Sequence, residues 1–166
     1  MYECKNTLVC VKSGDCCKFN RKDFLTEEED LKLKGQMYLK TGIIYLYPFS
    51  KYTISLSLEE KKRLEKEAKK QGKKIKILPK KIFYDLDNDK VHVIDYFLDK
   101  DGPCTFYEGK CTIYEKRPAV CRHFPKKDFE HKFDLKKLIG HTNIRLLNLE
   151  YKEIQKIIKE KLTCDT

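Results

Sequence analysis

No apolar run in this 166-residue sequence is long enough to cross a bilayer; the longest, GIIYLYPF at 42–49, falls far short of the roughly 20 residues a spanning helix needs. The opening MYECKNTLVC has neither a basic stretch nor a long apolar core behind it, so no export signal is read and a soluble, cytoplasmic protein without a membrane partner is expected. No internal repeat and no low-complexity tract is visible, which leaves an ordinary folded chain, expected to form one domain over residues 1–166. No glycine-rich fingerprint follows a strand pattern, so the usual cradle for a nucleotide phosphate is missing. Arginine is scarce as well: it supplies five of the 36 basic residues, and lysine supplies the rest.

The excess of lysine over acid gives a formal net charge of +10. Such a field attracts nucleic acid or an acidic protein. A Lys/Glu-rich surface is also the mark of proteins adapted to heat, and the plainer reading is solvated charge. The charge is concentrated in residues 59–81, with eleven basic and four acidic side chains. Pairs such as Glu59 with Arg63 and Glu65 with Lys69 suit a helix face in water, so nucleic acid is admitted as a partner but not favoured, and an unidentified protein partner stays open.

Helix and strand signals alternate along the chain. FLTEEEDLKLKG predicts a short helix capped by Thr26 and stopped by Gly35. A strand is expected near 43–47, ended by Pro48. Ser57 then caps a surface helix from about 58 to 71, closed by Gly72, whose thin stripe of Leu58, Leu64 and Ala68 predicts light packing. Around the polar turn DNDK a hairpin is expected, with strands near 82–86 and 91–97. Downstream, Ile144, Leu147, Tyr151, Ile154, Ile158 and Leu162 recur at intervals of three and four, which predicts a C-terminal amphipathic helix around 143–162, capped by Thr142 or Asn148. The fold class these elements define is α+β: a small domain with a β-hairpin or small antiparallel sheet, several helices and a cysteine-ligated site.

Against these absences stand eight cysteines, too many for chance core residues in a chain without an export signal. Their clustering favours metal; disulfides, which do occur inside cells adapted to heat, are the alternative. Cys10, Cys16 and Cys17 form one group, with Gly14 giving freedom for the tight turn that adjacent ligands require. Cys104, Cys111 and Cys121 form the other, with six and nine residues between them. Thiolates select zinc or an iron–sulfur cluster over magnesium or calcium. Thiolate ligation leaves a negative centre, toward which Arg117 or Arg122 can donate, while Pro118 stiffens the approach to Cys121. His123 could complete a Cys3His set but reads first as a packed side chain. His92, His131 and His141 have no partner at catalytic spacing. Cys164 reads as part of the tail.

The blocks CVKSGDCC, GPCTFYEGKC and CTIYEKRPAVCRHFP resemble the YkgJ-like CxxCxxCC family, described as a zinc- or iron-chelating domain. Cys111, Ile113, Tyr114, Arg117, Pro118, Cys121, Arg122, Phe124 and Pro125 fall in register with the family's second motif. One departure stands out: Ser13 occupies the place of the second cysteine of the first motif, and Cys4 is the nearest substitute. The resemblance implies a metal site drawn from Cys10, Cys16, Cys17, Cys104, Cys111 and Cys121, holding an iron–sulfur cluster (4Fe-4S) or Zn. It implies a metal-binding protein serving as a redox or assembly module. A relative, the flagellin lysine N-methylase, makes lysine methylation the enzymatic alternative, and a zinc-stabilised module binding nucleic acid or protein is the third class. Nucleophilic thiol chemistry at the run Cys121, Arg122, His123 carries less weight, since burial against metal would silence it.

Overall fold

Two capping boxes open the first two helices. Thr26 Oγ1 accepts from Glu29 N at 3.2 Å while Glu29 Oε2 accepts from Thr26 N at 2.8 Å, starting α1 (Glu27–Thr41). Ser57 and Glu60 repeat the exchange at 3.2 and 3.0 Å to start α2 (Leu58–Lys70). The computed structural model describes residues 25–49, 53–124, 131–132, 134–140 and 144–164. Among them are a four-stranded antiparallel sheet and five α-helices, an α+β fold as expected. The remaining elements are β1 (Ile43–Tyr45), β2 (Ile54–Leu56), β3 (Lys76–Asp85), β4 (Lys90–Asp99), a 3-10 turn (Tyr114–Lys116), α3 (Ala119–His123), α4 (Leu135–Ile139) and α5 (Tyr151–Cys164).

The strand order is β1-β3-β4-β2. β1 registers Ile44 against Ile82, and β2 registers Ser55 against Phe97. The hairpin is longer than its alternating pattern suggested. Its tip is closed by Asp85, whose Oδ1 accepts from Asp87 N at 3.1 Å and Asn88 N at 3.3 Å, an Asx-type turn. Arg145 and Lys161 then neutralise Asp87 and Asp89 at 2.6 and 2.7 Å.

The described residues form two compact groups. The first takes in 53–78, 96–124 and His131, around Ile54, Leu56, Leu64, Ala68, Leu98, Phe106 and Ile113, with Cys104 and Cys121 in the same core. Full burial of a side chain such as Leu56 or Leu64 contributes about 1.5–3 kcal/mol. The second takes in 25–49, 79–95, 132 and 134–164 where described, around Tyr38, Ile44, Ile82, Tyr151, Ile154 and Ile158. Here the Tyr151 hydroxyl accepts from Tyr45 N at 2.8 Å and donates to Tyr45 O at 3.0 Å, tying α5 to β1.

Two boundaries differ from expectation. Gly35 does not stop α1; the helix runs on to Thr41 and ends at Gly42, in the left-handed region at φ 71°. A Cβ on Gly35 would lie 3.6 Å from Tyr151 Cβ, so this glycine marks where α1 passes α5. The last helix begins at Tyr151, not near 143, so Asn148 lies two residues before the capping position, and Thr142 lies outside the described residues. Residues 144–150 are not helical: Leu147 N donates to the Tyr38 hydroxyl at 2.9 Å, and the first turn forms only where Glu150 O accepts from Glu153 and Ile154. The apolar period continued upstream because Ile144, Leu146 and Leu147 are half-buried in a segment with no helical ladder.

Gly42 gives a test of this packing. A Cβ there would meet Ile144 Cγ2 at 2.9 Å and Phe83 Cε2 at 3.2 Å on a left-handed backbone, whereas one on Gly72 (φ 63°) would meet nothing within 4 Å. Gly42→Ala is expected to cost roughly 2–4 kcal/mol in urea unfolding and Gly72→Ala about 1 kcal/mol, the difference being the clash. Equal losses would remove the contact as the cause.

Candidate metal centre

The chain leaves β4 through a turn in which Lys100 Nζ donates to Gly102 O at 3.0 Å, and Pro103 leads into Cys104. Phe106, only 1% exposed, anchors the loop that runs on to Thr112. Tyr107 N donates to Cys104 O and Thr112 N to Phe106 O, both at 2.9 Å, while Tyr107 and Cys111 face each other in an isolated bridge. Gly109 makes this miniature hairpin close, because its φ of 73° suits no other residue well. Cys111 is thereby turned back along the chain toward Cys104. Beyond it the 3-10 turn leads to Pro118, whose carbonyl accepts from Cys121 N at 3.0 Å as α3 begins.

Cys104, Cys111 and Cys121 line one pocket, together with Ile54, Leu64, Leu98, Phe106, Ile113, Arg117 and Pro118. It is a small, partly open pocket whose exposed lining is apolar. Cys104 and Cys121 are each 8% exposed and Cys111 is half-buried. Arg117 is buried too; its Nε donates to Tyr114 O at 2.8 Å and its guanidinium carbon lies 3.6 Å from the Tyr114 ring centroid. Among the described residues no carboxylate pairs with it, and it lines the same pocket as the three thiols. That donor set fits a soft, thiolate-bound ion or cluster: sulfur supplies affinity, and a buried guanidinium offsets the negative charge such a centre carries. Among the described residues, no three His, Cys, Asp or Glu side chains close into an ion cage by themselves.

The other candidates divide cleanly. Cys10, Cys16 and Cys17, like Cys4 and His141, lie outside the described residues. His123 and Arg122 are exposed and do not line the pocket, and His92 sits half-buried in β4. Cys164 ends α5 and is exposed. Burial of Cys121 also argues against reading its thiol as an open nucleophile.

What the sequence concealed is how the stretch between Cys111 and Cys121 is held. Three polar side chains of α2 and the residue after it reach it in antiparallel order. Thr112 Oγ1 donates to Gln71 Oε1 at 2.9 Å, Lys116 Nζ donates to Glu67 Oε1 at 2.7 Å, and Ala119 N donates to Glu60 Oε1 at 2.7 Å. Glu60, Glu67 and Gln71 share a helix face with Leu64 and Ala68, and both glutamates are buried. Leu58, expected in the apolar stripe, is 49% exposed. The ion pairs that form on the helix are Lys61–Glu65, Arg63–Glu60 and Lys70–Glu67, not those the i, i+4 spacing of Glu59 and Glu65 suggested. The available signal was the period itself: positions 60, 64, 67, 68 and 71 continue one stripe, with acids at two of its places.

Glu60 is the most heavily committed of these groups. Burial raises its pKa, but hydrogen bonds from His131 Nε2 at 2.8 Å, Ser57 N and Ala119 N outweigh that and bring it down to about 2. Hydrogen bonds from Lys116 and Lys70 also lower the Glu67 pKa, against burial.

A family model described as "CxxCxxCC: Putative zinc- or iron-chelating domain" matches residues 4–165, and the chain belongs to that family. No curated protein and no solved structure matches it. No helix among the described residues is long and apolar enough to cross a membrane.

The depressed pKa of Glu60 sets the sign of an acid response. A carboxyl group at about 2 when folded and 4.5 otherwise stabilises the fold above pH 4.5, and that contribution drains away as pH falls toward 2. The facing groups are His131, Arg63 and the Ser57 and Ala119 amides. Urea midpoints measured across this window should fall for the native chain and fall less for Glu60→Gln, which should already be weaker at pH 7. Parallel curves would assign the acid sensitivity elsewhere.

Proposed function

We propose that this protein is a metal-binding domain over residues 1–166, in which four thiolates drawn from Cys104, Cys111 and Cys121 together with Cys10, Cys16 and Cys17 hold one iron–sulfur cluster or zinc ion. The observation that carries the reading is the shared pocket of three thiols with Arg117 on its wall. Membership of a family described as chelating zinc or iron supports it. Two cysteine groups about ninety residues apart, drawn to one centre, would cross-link the fold in the way structural metal sites do.

When bound, zinc supplies a structural cross-link, and a four-iron cluster supplies one-electron transfer. The chain's own contribution is independent of that choice. Phe106, Ile113 and Leu98 line the inner side of the pocket with apolar surface, the loop at Gly109 returns Cys111 toward Cys104, and Arg117 places a buried cation in the same lining. A redox module is the reading for iron, an assembly module the reading for zinc.

Anaerobic purification with elemental analysis and an absorption spectrum tests this. Stoichiometric iron with visible absorption bleached by reductant, or stoichiometric zinc in a colourless protein, is expected, and Cys111→Ser and Cys121→Ser should each abolish retention. Native protein isolated without metal and unable to take up zinc or iron would overturn the reading.

A further inference from the structure

The helix α2 lies in the most lysine-rich part of the chain, yet its inner face is polar in a specific way. Glu60, Glu67 and Gln71 engage Ala119, Lys116 and Thr112 in reverse order, and the segment so engaged is flanked on one side by Cys111 and on the other by Cys121. α3 needs this support: five residues cannot hold a helix alone, and Pro118 at its start offers no side-chain cap. The Glu60 carboxylate takes over the capping of Ala119 N from 59 residues upstream in sequence, with His131 and Arg63 steadying it.

None of these contacts touches a thiol, and the core would bury the same apolar surface with leucine or alanine at these places. The polar ridge therefore does something packing cannot: it fixes the register of the nine residues between two cysteines. We infer that Glu60, Glu67 and Gln71 of this chain are positioning residues that preset the separation and orientation of the Cys111 and Cys121 thiols for metal. This rests on the metal-centre reading above and assigns α2, outside both cysteine motifs, to the site.

The test uses Co²⁺ as the probe, added anaerobically to the full chain in reductant after chelation, with affinity read by competition and geometry by the thiolate charge-transfer and d–d bands. Glu60→Ala should weaken Co²⁺ binding about 10- to 100-fold, as loss of an outer partner typically does, and alter the d–d bands. Thr112→Val, which removes the hydroxyl from both Gln71 Oε1 and Phe106 O, should shift both in the same sense by less. Glu60→Gln, which keeps an acceptor for Ala119 N, should restore the native spectrum. Ile158→Ala, a cavity in the other core, controls for lost stability and should leave both unchanged in the folded protein. Native affinity and bands in Glu60→Ala and Thr112→Val, or the same losses in Ile158→Ala, would overturn the positioning role while leaving the metal centre standing. A native chain that takes up no Co²⁺ through thiolate would remove the centre itself, and the role with it.

Discussion

Three thiols separated by six and nine residues reach one pocket only if the backbone between them is held, and the longer interval is held by hydrogen bonds to the inner ridge of α2. The shorter interval needs no such help. It closes through local turn bonds and one left-handed glycine, whereas the 3-10 turn and α3 are too short to keep their own shape. The loop Cys104–Thr112 and the ridge are thus two solutions to one problem, the first encoded within the motif and the second borrowed from a helix some forty to sixty residues away in sequence.

Holding a segment with buried carboxylates is costly, and the geometry indicates how the cost is met. An ionised group removed from water loses several kcal/mol of hydration, recovered only where its lone pairs are filled. Glu60 has Ser57 N, Ala119 N and His131 Nε2 within hydrogen-bonding distance, and Glu67 has two lysine ammoniums. The arrangement is asymmetric in its consequences: truncating Glu60 leaves the Ser57 and Ala119 amides short of an acceptor, at about 1–3 kcal/mol for each buried group left unpaired, whereas the Lys70 and Lys116 ammoniums of Glu67 are half-exposed and stay in water. Arg117 is the complementary case, a buried cation held by the Tyr114 carbonyl and ring in the lining of the pocket that the three thiols share.

Legibility from sequence followed the range of the forces involved. The N-caps Thr26 and Ser57, the hairpin about DNDK and the clustering of cysteines were readable because each is decided within a few residues. Gly35 misled because a glycine inside a helix looks like a stop until the neighbouring helix at Tyr151 is seen beside it. The start of α5 misled because residues 144–147 keep an apolar period while their amides bond elsewhere, Leu147 N to Tyr38. β2 was missed since three residues, Ile-Ser-Leu, carry no pattern until β4 lies beside them. The ridge was hidden for a different reason: in a helix so rich in Lys and Glu, two buried acids are indistinguishable by composition from exposed ones.

That last point changes how the charge of the molecule should be read. Formal counting treats Glu60 and Glu67 as offsets to the lysines of α2, giving a helix of mixed sign. Their charge, however, is directed inward, screened by Lys116, His131 and the start of α3, while Lys62, Lys66 and Lys69 are exposed on the helix's outer side. The outward field of α2 is therefore more positive than its composition states, and its inward field more negative. A single helix presents two acids to the segment that carries the thiols and a mostly cationic face, with Glu59 and Glu65 among its lysines, to solvent, so net charge, which averages the two faces, describes neither.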